Sequence, residues 1–305
     1  MSDPVIELKG LKKDYGNGRG VFDVSFSVER GEVFGFLGPN GAGKTVTMRN
    51  LMGFIRPDEG TVSIDGLNCF SQRSRIQERL GYLPGEIACM DEMTGTAFLR
   101  MMERMRGVRD DEHLRMLLDT FRLDPDIPTR EMSLGVKRKM AVVTAFMHDP
   151  DILILDEPTS GLDPVMQQVF IDYVLWEKGR GKTVFLSSHL FNEVDATCDR
   201  IAIIKDGRIV SQFESNEFHQ RGDRFYQVTF GSDDAYRAFA ALPYEFAARS
   251  PERRRAKVHV NDARVNQLIA DLAEADVTDF EEIPFTLEDY FMQFYREDRQ
   301  FEEVR

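Results

Sequence analysis

Hydrophobic and polar residues alternate near the start of the chain, first in Val5-Ile6-Glu7-Leu8 and then in Val24-Ser25-Phe26-Ser27-Val28. A period of two predicts half-buried strands. The polar stretch at residues 15–20 and the pair Arg30-Gly31 predict the turns that bound them. Val33-Phe34-Gly35-Phe36-Leu37 is continuously apolar, as in a strand buried on both faces. A glycine-rich loop follows, and residues 44–54 then carry Met48, Leu51 and Met52 at helical spacing. Strand, glycine loop and helix in that order predict the opening of a nucleotide-binding α/β unit.

From about residue 90 to 149 the period becomes helical. Phe98, Met101, Met102 and Met105 lie at i, i+3, i+4 and i+7, and Leu114, Leu117, Leu118 and Phe121 repeat that spacing. Buried parallel strands return at residues 152–155, 183–187 and 200–204, with a helix over 165–178 joining the first two. The predicted core is therefore α/β, with a β-rich N-terminal part and a helical subdomain inserted at about 90–149. The chain turns polar over 214–222, which predicts a linker. Beyond it the pattern reads strand 225–230, helix 233–242, strands 244–249 and 255–260, helix 262–273, strand 277–283 and a last helix over 286–299. That βαββαβ order resembles a ferredoxin-like fold. Two domains are expected, 1–215 and a small α+β domain at 223–305.

Composition narrows the function classes. The chain has 305 residues, 42% of them hydrophobic and 30% charged, which is globular and excludes collagen-like, low-complexity and mostly disordered chains. A net charge of −13 argues against a general nucleic-acid binder, which needs a basic footprint, and against a basic membrane-surface helix. No apolar stretch approaches the ~18 residues that would cross a bilayer, so direct membrane insertion is not expected. The opening MSDPVIELKG has no basic segment followed by an apolar run, so no secretory signal is read. Cys69, Cys89 and Cys198 are far apart without a CxxC pair, which reads as free thiols in a reducing compartment. Arg253-Arg254-Arg255 reads as a solvated turn.

Gly38-Pro39-Asn40-Gly41-Ala42-Gly43-Lys44-Thr45 matches G-x-x-x-x-G-K-[ST] in full. Its glycines allow consecutive N–H groups to turn inward as an anion nest, and the helix opening at Lys44 adds its positive end. Lys44 is placed to neutralise the β- and γ-phosphates of a nucleotide, and the Thr45 hydroxyl is a candidate Mg²⁺ ligand. Asp156, ending a buried apolar run, is the carboxylate expected to hold that metal. Glu157 follows as the candidate that polarises the attacking water.

With these residues in view, the chain resembles the ATP-binding subunit of ABC transporters over about residues 4–215. The resemblance rests on an ordered set: the phosphate loop, Met132-Ser133-Leu134-Gly135-Val136 where the family has LSGGQ, residues 152–157, Ser160-Gly161-Leu162-Asp163, and Ser187-Ser188-His189. Lys137-Arg138-Lys139, Asp199-Arg200-Ile201 and Lys205-Asp206-Gly207 also look like family sequence. It implies a P-loop ATPase that sandwiches two ATP molecules between two subunits, identical or related. One subunit supplies the phosphate loop, Asp156, Glu157 and His189, and the other Ser133 and Gly135. Asp163 would link the two sites, His189 would contact the γ-phosphate, and Tyr15 stands where the family stacks an aromatic ring on adenine. Transmembrane permease subunits are the implied partners, with the ATPase peripheral on the inner face of the cell membrane.

Three positions depart from the pattern. Gly85 replaces the glutamine that usually follows Tyr-Leu-Pro, leaving the neighbouring Glu86 as the substitute metal candidate. Val46 stands where a hydroxyl residue often touches the α-phosphate, removing a hydrogen bond worth about 0.5–1.5 kcal/mol. Leu134 and Val136 replace Gly and Gln in the signature. Met90, Met93, Met101, Met102 and Met105 read as core packing, the alternative being an adaptable groove for a helix of the membrane partner. The ending Pro284-Phe285-Thr286-Leu287-Glu288-Asp289-Tyr290-Phe291 resembles the extension of the drug- or polysaccharide-exporter branch, so export is preferred and the last domain is read as dimer-stabilising or regulatory. Two other readings stay open. One is a soluble ABC ATPase of translation or repair, against which stand the single ATPase unit and the short spacing from Thr45 to Asp156. The other is a weakly catalytic regulatory subunit, against which Glu157 stands.

Overall fold

The computed structural model describes residues 4–87, 92–107, 109–219 and 223–296. Cys89 and Met90 lie outside the described residues. Two compact units divide the chain, Met1–Asn216 and Glu217–Arg305.

In the first unit β1 (Ile6–Asp14) and β2 (Gly20–Val28) form the hairpin that the alternation predicts. β3 (Val33–Leu37) is buried at every position. α1 (Lys44–Leu51) is three residues shorter than its apolar spacing suggests. Gly53 adopts a left-handed φ of 66°, and a Cβ there would lie 2.1 Å from the Cys69 carbonyl oxygen, so the chain turns away. β4 (Glu59–Ile64), β5 (Leu67–Asn68) and α2 (Arg73–Gln77) lead into β6 (Leu80–Leu83). The helical part contains α3 (Gly95–Arg106), α4 (Asp111–Thr120) and α5 (Leu134–Phe146). Then come β7 (Ile152–Asp156), α6 (Pro164–Gly179), β8 (Thr183–Ser188), α7 (Phe191–Thr197), β9 (Arg200–Lys205) and β10 (Arg208–Glu214).

The strands form a four-stranded sheet, β2-β1-β4-β5, and a six-stranded sheet, β10-β9-β3-β8-β7-β6. The six-stranded sheet is parallel from β9 to β6, with antiparallel β10 at one edge. Side chains of both sheets share one core with Met48 and Leu51 of α1. At its centre the Phe26 ring stacks on Phe34 at 5.0 Å and on Phe185 at 5.3 Å. Each fully buried ring of this kind contributes about 1.5–3 kcal/mol, and together they hold β3 and β8 in place behind the site.

The second unit begins within α8 (Ser215–His219), where the sequence predicted only a polar linker. It continues with β11 (Asp223–Phe230), α9 (Asp233–Ala240), β12 (Glu245–Ser250), β13 (Arg255–Asn261), α10 (Val265–Ala273), β14 (Val277–Ile283) and α11 (Leu287–Arg296). The sheet order is β12-β13-β11-β14, antiparallel throughout, which is the ferredoxin-like arrangement. Thr286 and Asp289 cap α11 reciprocally, the Asp289 N–H donating to Thr286 Oγ1 at 3.1 Å and the Thr286 N–H to Asp289 Oδ2 at 3.3 Å.

Candidate nucleotide site

Four parallel strands end at the same edge of the six-stranded sheet, and each delivers part of the site, as open α/β sheets do at the carboxyl ends of their strands. β3 runs into the loop 38–43, β7 ends on Asp156, β8 leads into His189, and β6 leads into Gly85. Gly41 and Gly43 have φ of 85° and 113°, and a Cβ on Gly43 would meet Val21 Cγ1 at 2.7 Å. Only glycine meets both demands. No side chain caps the N-terminus of α1, so its first N–H groups are available to an anion. Pro39, Asn40 and Ala42 complete the loop, and Val46 is partly buried and packs against the core.

Lys44 is only 6% exposed. Its ammonium donates to the carbonyls of Gly38 at 2.6 Å and Pro39 at 3.2 Å, and forms an ion pair with Glu157 Oε1 at 2.9 Å. Glu157 is also joined to His189 Nδ1 through Oε2. Glu157 has a left-handed φ of 51°, a conformation that costs a non-glycine residue about 1–3 kcal/mol and collects at functional sites. Its N–H donates to the Ser187 carbonyl at 3.1 Å, and its own carbonyl accepts from the Ser160 N–H at 3.1 Å. Asp156 is buried, and Ser187 Oγ donates to its Oδ1 at 2.5 Å. Burial raises its pKa, opposed by hydrogen bonds from Ser187 and Thr45 and by the charge of Lys44.

Some expected residues stand apart from this cluster. It is Gly85 whose backbone lies against Asp156, since a Cβ there would fall 3.0 Å from Asp156 Oδ2; Glu86 is solvent-exposed. Ser133 caps α5, accepting from the Val136 N–H at 3.3 Å, with Gly135 in the first turn. Asp163 caps α6, accepting from the N–H groups of Val165 and Met166, both at 3.0 Å. Leu134 is 66% exposed and Tyr15, in the β1–β2 turn, 54% exposed. Such solvent-facing positions suit contacts with a ligand or a second chain.

The methionine reading needs correction. Met105 is 74% exposed, and α3 buries Gly95, Leu99 and Glu103 instead. Phe98, Met102 and Met105 line an open groove of about 550 Å³ with Phe54, Tyr82 and Ile87. Met101 is half-buried and does not line it.

Two residues have roles that the sequence reading did not isolate. Glu193 on α7 is 1% exposed and accepts from Ser188 Oγ at 2.5 Å. Burial pushes its pKa up to about 7, against the pull of the Ser188 and Thr159 hydroxyls. Arg138, read only as part of a basic run, is 4% exposed within α5. A carboxylate one helical turn past His189 was the available signal for Glu193. For Arg138 there was none, because its partners are backbone carbonyls.

Comparison with known proteins supplies the family. The family model described as ABC transporter matches residues 21–160. The Nod factor export ATP-binding protein I of Ralstonia nicotianae is 35% identical over 244 residues, covering 76% of this chain and 74% of the relative. The linearmycin resistance ATP-binding protein LnrL of Bacillus subtilis is 31% identical over 274 residues, covering 87% and 83%. A solved ATP-binding subunit of an ABC transporter superposes with a TM-score of 0.64 at 28% identity, over 77% of this chain and 93% of that one. A dimeric cassette in a post-hydrolysis state, bound to ADP and Pi, has the same fold, with a TM-score of 0.63 at 21% identity over 69% and 98%. The chain belongs to the ABC transporter family, as an ATP-binding subunit with ATPase activity.

Proposed function

We propose that this ATPase drives export, and that it works as a pair of subunits bound to transmembrane permease subunits at the inner face of the cell membrane. The observation that carries the hydrolytic part is the convergence of Lys44, Glu157 and His189, from three separate strand ends, into one connected group. The Lys44 ammonium is balanced by Glu157. An incoming terminal phosphate takes over that ammonium and frees the Glu157 carboxylate to accept a proton from water. As the water oxygen bonds to the γ-phosphorus, the bond from that phosphorus to the β,γ-bridging oxygen breaks, and ADP and phosphate result. His189, joined to Glu157 through Nδ1, orients the carboxylate and stands beside the reacting phosphate.

Mg²⁺ fits the oxygen donors present. Asp156 is a buried carboxylate whose ionised form is disfavoured by burial, and the Thr45 hydroxyl is hydrogen-bonded to it, so a hard cation held by these two residues would relieve a real electrostatic cost. It would supply charge neutralisation at the phosphates. Glu86 is solvent-exposed and is left out of this set.

The second copy would contribute Ser133 and Gly135 at the N-terminus of α5, and Asp163 would lie along the contact. The ATP adenine is assigned to Tyr15. Relatives named for Nod factor export and for linearmycin resistance support export as the direction. The α3 groove is the proposed seat of the permease helix, and the ferredoxin-like unit is read as stabilising or regulating the pair.

Turnover by the full chain and by Glu157→Gln tests this reading. Wild type should hydrolyse Mg-ATP, while Glu157→Gln should retain nucleotide and lose about 10²-fold or more in kcat. Equal, negligible rates in both would favour a regulatory subunit instead.

A further inference from the structure

An arginine is almost never fully buried unless a carboxylate pairs with it. Arg138 is 4% exposed, yet its hydrogen bonds are to three neutral backbone carbonyls. Nε donates to Ser160 at 3.0 Å, Nη1 to Pro84 at 3.0 Å and Nη2 to Gly85 at 2.7 Å. Burial disfavours the charge and lowers the Arg138 pKa, and Asp156, Glu157 and Glu193 offset part of that cost through space. A planar fork of donors is the feature a guanidinium has and an ammonium lacks.

What these carbonyls belong to gives the contact its meaning. Ser160 closes the turn that holds Glu157 in its left-handed conformation, through the Ser160 N–H and the Glu157 carbonyl. Pro84 and Gly85 form the segment that passes beside Asp156, where a Cβ on residue 85 would fall 3.0 Å from Oδ2, and Pro84 and Ile87 also line the α3 groove. With glycine at 85, no side chain reaches from this segment to the site. The backbone carbonyls are its remaining polar handle, and Arg138 holds two of them. Arg138 itself stands on α5, which Ser133 caps.

We infer that Arg138 is a positioning residue for ATP hydrolysis: its guanidinium clamps the 84–85 segment and the 157–160 turn together, and so sets the place of Asp156 and Glu157 beside the phosphates. The inference rests on the hydrolytic reading above.

The test compares Arg138→Met, Arg138→Lys and Arg106→Met in the full chain. Arg106, half-buried at the wall of the α3 groove, is a control for turnover by the chain alone, since its guanidinium also donates to two backbone carbonyls, Gln77 at 2.6 Å and Leu80 at 3.3 Å, outside the Lys44–Glu157–His189 cluster. Arg138→Met should lower kcat by about 10- to 100-fold with KM within about 3-fold, as expected when reacting groups are displaced without loss of binding. Arg138→Lys should recover part of that loss but not all, and Arg106→Met should stay within about 2-fold of wild type. Amide hydrogen exchange should quicken at both 85–87 and 159–162 in Arg138→Met.

Wild-type kcat in Arg138→Met, full kcat in Arg138→Lys, or an equal loss in Arg106→Met overturns the inference. If Arg138→Met fails to fold, Arg138→Lys is judged by the same split between kcat and KM. A wild-type chain without turnover overturns the hydrolytic reading. Exchange then decides the clamp by itself, and unchanged rates in both segments sink it.

Discussion

Glu157, Lys44 and His189 illustrate how one residue's conformation becomes chemistry. Glu157 would be in better backbone geometry with a negative φ, yet its left-handed turn is what aims the carboxylate at both Lys44 and His189. Behind this group lies Glu193, whose pKa is pushed up to about 7 by burial. A carboxyl group that binds its proton more tightly when folded than when unfolded favours the fold below its unfolded pKa of about 4.5, and that advantage is lost as pH rises through 7. The full span corresponds to roughly 3 kcal/mol. Glu193→Gln keeps a neutral hydrogen-bonding group in place at all pH values. Its melting temperature should therefore gain on wild type between pH 5.5 and pH 8, measured by thermal denaturation of both proteins. A constant difference across that range would show that Glu193 does not titrate there. The two described cysteines, Cys69 and Cys198, are free and buried, and burial pushes the Cys69 thiol up to about 12 and the Cys198 thiol higher still. Neither is suited to act as a thiolate nucleophile.

At the scale of elements, α3 separates spacing from burial. Its apolar stripe was read correctly as helical, but Phe98, Met102 and Met105 of that stripe look onto an open groove and not into the core. Edge-to-face contact of Phe54 with Tyr82, at 5.7 Å, forms part of the groove wall, so apolar surface is gathered there from three segments distant in sequence. Surface of this kind is costly to leave in water and marks interaction sites. Introducing charge at Met102 and Met105 together, as Met102→Glu/Met105→Glu, should weaken co-purification with the permease subunits by about 10-fold or more. ATP binding by the isolated chain should remain within about 2-fold, because neither residue belongs to the Lys44–Glu157–His189 cluster. Simultaneous loss of both properties would return these methionines to a packing role. Elements that deliver the site itself obey simpler rules: β7 is buried at all five positions, so its terminal Asp156 has little freedom of place.

The molecule as a whole is two compact units with described hydrophobic clusters that share no residue. A chain ending at Asn216 should therefore bind ATP with an affinity within about 3-fold of the full chain, read by nucleotide titration. If the ferredoxin-like unit stabilises the pair, ATP-dependent dimerisation of that shortened chain in a Glu157→Gln background should weaken, as read by sedimentation. Unchanged dimerisation would remove that role. That the phosphate loop, Asp156 and Glu157 gather at strand ends was legible from the sequence, because the glycine motif and the acidic pair each follow a buried apolar run; His189 entered through the family resemblance, and the structure joins it to Glu157. The βαββαβ order was legible for a similar reason, since period two and period 3.6 are local properties of a chain. Spacing was silent on which apolar stripe meets the core and which meets water, as the methionines of α3 demonstrate. It was silent too on Gly85 against Asp156, on buried Glu193, and on Arg138 reaching carbonyls far away in the chain. Those depend on which segments tertiary packing brings within 3 Å, and a backbone carbonyl carries no trace of that in the residue letter.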